Sequence, residues 1–235
     1  MAIPIYLAMT GAEFHSCREL PDHIAWMACH FSPYGSGLSN LPPALPPDSL
    51  LILNDRIPLA EHDPELIVHQ LQQTAEALSC CGVLLDFQRE GSAETAQLAA
   101  HLSKTLPFPV IVSDIYAAEL DCPVFLSPCP HHIPLSQYIA PWQGREIWLD
   151  IASNAETILL TKERATITPL PLGEIPEGGH ADSLLHCHYS IEQREESVQF
   201  TLWRTQEDLE LLIKNAKNPG VEALVGLYAE LGFGN

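Results

Sequence analysis

Four short apolar runs in this chain end on acids or amides: Leu50-Leu-Ile-Leu-Asn54-Asp55, Val83-Leu-Leu-Asp86, Val110-Ile-Val-Ser-Asp114 and Ile147-Trp-Leu-Asp150. Carboxylates gathered on one rim can accept hydroxyl or amide protons from a ligand, or move a proton in acid–base chemistry. Within Gly82–Gln88, alternation puts Leu84, Asp86 and Gln88 on one face and Val83, Leu85 and Phe87 on the other. The wholly apolar odd face suits packing on helices, so Asp86 and Gln88 are expected to enter a pocket mouth above Leu84. The ligand-binding candidates are therefore Asn54, Asp55, Asp86, Gln88, Asp114 and Asp150, with Asp86 the catalytic candidate. Each has a structural role to compete with, since Asp and Asn favour turns and helix caps after strands.

Histidine offers a different chemistry. His186-Cys-His188 places two imidazoles on one strand face, and Cys129 with His131-His132 offers donors from another segment. Zinc needs three or four converging ligands, which these spacings do not supply, so no metal and no cofactor is expected. A metal-dependent hydrolase using His186 and His188 is one alternative. A non-catalytic scaffold with hairpins forming a protein interface is the other. No nucleophile elbow, dinucleotide fingerprint or P-loop occurs. Trp26, Trp142, Trp148 and Trp203 fit core packing better than sugar stacking.

Parallel strands need crossover connections, and apolar runs here alternate with helical patterns. Strands are expected over Ile3–Met9, Ile24–Phe31, Leu50–Asn54, Gly82–Gln88, Val110–Asp114, Val124–Ser127 and Ile147–Ile151. A helix near Pro64–Cys80 has Asp63 as N-cap and Pro64 at its first position, with Gly82 punctuating its end. A second is capped by Ser92 and runs to Thr105, and a short one covers Leu135–Ile139. Beyond residue 151, Thr157–Leu160 with Ala165–Pro169, and Leu184–Ile191 with Val198–Trp203, read as hairpins. Thr205 and Asp208 form a capping box for a helix, Asn218-Pro219-Gly220 breaks it, and a final helix is expected over Val221–Leu231. The pattern predicts, in preference to a doubly wound open sheet, a compact (β/α)8 TIM-like barrel, a single domain over residues 1–235. Some of its helices are reduced to loops, and β-hairpins are added near the C-terminus. In such a barrel every strand's carboxyl end lies on the rim where sites are built.

One strand carries a family resemblance. Cys81-Gly-Val-Leu-Leu-Asp-Phe-Gln88 resembles the fourth-strand signature of family 18 glycoside hydrolases, the chitinase-like barrels, Asp-Gly-x-Asp-x-Asp-x-Glu. Gly82 and Asp86 match, and Phe87 sits where an aromatic is common. Cys81 and Leu84 replace the first two acids, and Gln88 stands in the place of the general acid. The resemblance implies the barrel and a carbohydrate-shaped groove. The departure implies loss of chitinase-type hydrolysis, because an amide has no proton to deliver near neutral pH. Glu90 is the nearest replacement acid in sequence.

Composition narrows the partners. The 235 residues carry 30 Asp and Glu against 11 Lys and Arg, a formal charge of −19. That balance opposes nucleic-acid phosphate and anionic membrane. With no long apolar run and an odd set of seven cysteines, a cytoplasmic protein is expected. The expected partner is a small, neutral, polyhydroxylated or glycan-derived molecule bound at the carboxyl rim. Of the 20 prolines, Pro4, Pro107, Pro109 and Pro123 fall at strand starts and Pro33, Pro58 and Pro128 just past strand ends, where a missing N–H costs a ladder least.

Overall fold

The computed structural model describes residues 3–59, 62–217 and 220–231. Its strands in chain order begin with β1 (Ile5–Met9), β2 (Ile24–Phe31), the short β3 (Leu38–Ser39), β4 (Leu50–Asn54) and β5 (Gly82–Asp86). They continue with β6 (Val110–Ser113), β7 (Val124–Leu126) and β8 (Ile147–Ile151). Five strands follow in a separate sheet, β9 (Ala155–Thr161), β10 (Ala165–Leu170), β11 (His180–Asp182), β12 (Cys187–Arg194) and β13 (Ser197–Trp203). Then β14 (Val221–Leu227) returns to the first sheet.

The first sheet runs β1-β14-β8-β7-β6-β5-β4-β2, and β1 also pairs with β2, so eight strands close on themselves as a parallel (β/α)8 barrel. Side chains from all eight fill the interior, among them Tyr6, Ala25, Ile52, Leu84, Ile111, Phe125, Trp148 and Val225. Closure leaves no open edge, and alternating residues supply an inner layer and an outer one.

The helices between strands are unequal. Among the described residues, α2 (Pro64–Leu78) and α3 (Ala93–Thr105) are the long helices flanking β5; α1 (Gly11–Ser16), α4 (Asp114–Ala117) and α5 (Leu135–Ile139) are short, and the link from β2 to β4 carries only β3. Helix α2 starts as its sequence dictates, with the Asp63 carboxylate accepting from Glu65 N and Leu66 N and Pro64 at the first turn. It ends earlier than expected, because Ser79 takes the left-handed conformation. Gly82 then opens β5 instead of terminating the helix. A Cβ there would stand 2.8 Å from the Pro109 carbonyl oxygen, which accepts from Val83 N at 3.0 Å. Prolines sit where foreseen: the carbonyls of Pro4, Pro109 and Pro123 each accept a ladder hydrogen bond, while their missing N–H groups lie outside the strands.

The segment expected as a closing helix, Val221–Leu231, is instead strand β14 followed by a turn. Glu222, Ala223 and Leu224 favour helix locally, but a closed barrel needs an eighth strand between β1 and β8. Leu224 N donates to Pro4 O, and Ala223 and Val225 enter the core. Of the expected breaker, Gly220 is seen, while Asn218 and Pro219 lie outside the described residues.

The chain divides into two compact units, one of residues 1–127, 144–150 and 221–235 and one of residues 128–143 and 151–220. The second holds the antiparallel sheet β10-β9-β13-β12-β11, in which both expected hairpins occur and are joined by pairing of β9 with β13. It also holds helix α6 (Gln206–Ala216), whose N-terminus is the capping box of Thr205 and Asp208.

Candidate functional site

A pocket of about 160 Å³ opens at the carboxyl ends of the barrel strands. Its floor is apolar, from Ile52, Leu84, Phe125 and Val225, and its polar lining is Asn54, Arg56, Asp86 and Asp150. Period two explains which acids reach it. Asn54, Asp86 and Asp150 each follow by two residues a side chain of the barrel interior, Ile52, Leu84 and Trp148. Asp55 and Asp114 are out of phase and do not line it.

Each candidate has a definite place. The Asn54 amide donates from Nδ2 to the carbonyls of Met27 and Cys29, both at 2.9 Å, and its Oδ1 accepts from Arg56 N at 3.2 Å. Those carbonyls flank an irregularity in β2, where the pairing register with β4 shifts between Trp26 and Cys29. Asn54 therefore fills the hydrogen-bonding capacity left by a bulge, and its polar atoms are spent on backbone. Asp55 is buried and accepts from Gln88 N at 3.0 Å and Arg89 N at 2.9 Å. It fixes the turn after β5 from below. Arg89 reinforces this by donating to Asp55 O and Arg56 O, both at 2.9 Å, and Tyr116 Oη donates to Arg89 O.

Strand β5 stops at Asp86, so Gln88 lies in that turn, exposed and outside the pocket lining. Its Nε2 donates to Asp86 Oδ1 at 2.6 Å. Burial pushes the Asp86 carboxyl above the usual carboxylate range; the Gln88 amide opposes that rise, and the Asp55 charge adds to it. Asp114 opens α4, away from the pocket, with its carboxyl also raised by burial. Glu90 is exposed and does not line the pocket. No tryptophan lines it either. Trp148 packs in the barrel core, and Trp26 donates to Asn40 O at 2.8 Å.

Arg56 was not singled out by the sequence, yet it brings a cation into the pocket. The signal was present, since Arg56 follows Asn54 by two residues.

In the second unit three histidines pair with acids and His186 pairs with an amide. Nδ1 of His188 lies 2.7 Å from Asp208 Oδ2, and His186 Nε2 lies 3.3 Å from Asn215 Nδ2. His131 and His132 both face Glu156 Oε1, at 3.5 and 3.1 Å. Among the described residues no group of three or more His, Cys, Asp or Glu is arranged to hold a metal ion. His186 and His188, the ligands of the metallohydrolase alternative, are not joined by a third such residue among those described.

No family model and no curated relative matches the chain. Solved structures do. A chitinase from Chromobacterium violaceum aligns over 98% of this chain and 95% of its own, with a TM-score of 0.58 at 11% identity. The protein has the fold of the chitinase-like barrels. The spore cortex-lytic enzyme SleL of Bacillus cereus aligns over 98% of this chain and 71% of its own, with a TM-score of 0.55 at 9% identity. A family 18 chitinase from Cycas revoluta, solved in complex with (GlcNAc)4, aligns over 96% and 94%, with a TM-score of 0.54 at 11% identity. At such identities the likeness is one of fold. Among the described residues no helix is long and apolar enough to cross a membrane.

Proposed function

We propose that the carboxyl-rim pocket binds a small polyhydroxylated or glycan-derived ligand and does not hydrolyse it by the chitinase route. The observation that carries this reading is the convergence of Asp86 and Asp150 over an apolar floor, with an amide at position 88 hydrogen-bonded to Asp86. Sugar rings present apolar faces and a rim of hydroxyls, which this combination matches. Asp86 accepts ligand hydroxyl or amide protons. Gln88 holds that carboxylate in place but has no proton to give a leaving oxygen.

The Cycas chitinase bound to (GlcNAc)4 supports a glycan as the class of ligand. Seven free cysteines fit a reducing compartment, and we place the protein in the cytoplasm. Titration calorimetry with N,N′-diacetylchitobiose, beside a turnover assay on a chromogenic chitobioside, tests both halves. Binding that is weakened by Asp86→Asn, with no turnover, is the expected result. Failure of the disaccharide and of longer chitin oligomers to bind would remove the binding half, and turnover by the natural chain would remove the other.

A further inference from the structure

The antiparallel sheet of the second unit ends on two outer strands, β10 and β11, and they differ. Strand β11 is three residues long, and the carboxylate of its Asp182 accepts from Leu184 N and Leu185 N. A short outer strand with a charge gives a neighbour little to pair with. Strand β10 is six residues long, Ala-Thr-Ile-Thr-Pro-Leu, with no charge and no bulge in its pairing with β9. Its first five residues are exposed. Thr and Ile favour pairing at such an edge, and of the features that block one only Pro169 is present.

The register with β9 fixes what the edge offers. Thr161 N donates to Arg164 O at 3.0 Å, and the ladder alternates from that pair, so Thr166, Thr168 and Leu170 turn their backbone groups toward β9. Ala165, Ile167 and Pro169 turn theirs outward, and the edge presents two N–H groups and three carbonyls. Directly opposite residues share a face. Ile167, Ile158, Phe200 and Ile191 therefore form one apolar row across four strands, and it runs out to the β10 edge. Ile167 and Ile191 are 49% and 55% exposed.

A second copy of this chain matches the edge. Antiparallel pairing about a two-fold axis at Ile167 sets Ile167 against Ile167, each N–H meeting the other's carbonyl. The same register sets Ala165 against Pro169, where the Ala165 N–H meets the Pro169 carbonyl. Every outward N–H is then used, and the missing proline N–H leaves only the Ala165 carbonyl unpaired. On the opposite face Thr166 meets Thr168 twice, a favourable cross-strand pair. The apolar row continues from one copy into the other. Charge agrees, since Lys162-Glu163-Arg164, net positive, precedes β10 and Glu174 and Glu177 follow it. Antiparallel pairing brings the basic end of one strand toward the acidic end of the other.

We infer that the protein self-associates through β10, two copies joining their five-stranded sheets edge to edge in the register centred on Ile167. Six residues a side are few against the roughly 20 to 30 of a standard interface, so the dimer is weak, with a Kd of order 10 to 100 µM.

Sedimentation velocity tests this over a concentration series from about 1 µM to about 1 mM, with enough salt to screen the charge of −19 on each copy. The natural chain should pass from monomer to dimer within that range. Ile167→Lys and Ile167→Glu each oppose like charges across the axis, and each should weaken association at least about tenfold. Mixed in equal amounts, the two variants should associate with one another at least as tightly as the natural chain does with itself. Circular dichroism of each variant checks that it is folded, and the natural chain's own series needs no variant. A natural chain that stays monomeric throughout overturns the inference, as does a dimer that survives in both variants. A mixture that stays monomeric while the natural chain pairs also overturns it, because stacking through the sheet face would not bring position 167 against itself.

Discussion

The side-chain amide of Gln88 donates to the carboxylate of Asp86 across 2.6 Å, at the carboxyl end of a barrel strand. In the family 18 pattern that this strand resembles, the position of Gln88 belongs to the acid that protonates the leaving oxygen. Here the same position supplies a donor that orients its neighbour. The turn that carries Gln88 is fixed by Asp55 and Arg89, so the pair is set by backbone contacts on both sides.

Gln88→Glu would put a second carboxylate against Asp86. Two carboxylates in contact cannot both ionise without cost, so the variant should lose about 1 kcal/mol of stability near neutral pH and recover it in acid. Thermal melts across that pH range check this. The same variant should turn over a chromogenic chitobioside faster than the natural chain does.

Asp86 carries a pH-dependent penalty. Burial raises its carboxyl in the folded state, so the folded chain keeps that proton to a higher pH than the unfolded chain does. Stability from this group is complete in acid and falls as pH rises through the folded value. Asp86→Asn should therefore melt above the natural chain near neutral pH, with the gap closing in acid, while binding sugar at least about tenfold more weakly. Equal melting at both pH values would contradict the burial argument.

Glu156 behaves in the opposite sense. Burial opposes its ionisation, but hydrogen bonds and charge from His131 and His132 prevail and lower its carboxyl from 4.5 to about 2. That contribution is present above the unfolded value and is lost as pH falls toward the folded one. Glu156→Gln should lower the urea midpoint near neutral pH, corresponding to about 1 to 2 kcal/mol, with the difference shrinking as acid is added.

Asn54→Ala should cost about 2 kcal/mol, since the carbonyls of Met27 and Cys29 lose their shared donor. Asn54→Asp should be at least as damaging, because it aims a carboxylate oxygen at two carbonyls. Equilibrium denaturation of both variants distinguishes this bulge-filling role from a purely ligand-contacting one, which would leave stability unchanged.

Gly82→Ala should destabilise by about 1 to 3 kcal/mol, because its Cβ meets backbone at Pro109 and not a side chain that can move. Chemical denaturation measures it directly.

The chain's own pattern determined most of the barrel. Runs of Val, Leu and Ile between capped helices, with prolines at strand starts, specify elements whose signals are local: Asp63-Pro64 and Ser92 begin their helices where expected. Alternation within β5 likewise placed Leu84 and Asp86 inward, because the side-chain period of a strand is fixed. Tertiary structure decided what local signals leave open. Residues 221–227 became a strand because closure demanded a partner for β1 and β8, and that pairing outweighs the helix preference of Glu, Ala and Leu. It also separated acids that look alike in sequence. Asn54, Asp86 and Asp150 share the phase of the barrel interior, whereas Asp55 turns beneath the loop it holds and Asp114 starts a helix. Where each strand stops and which phase enters the core depend on register between neighbours, and register is a property of the closed sheet.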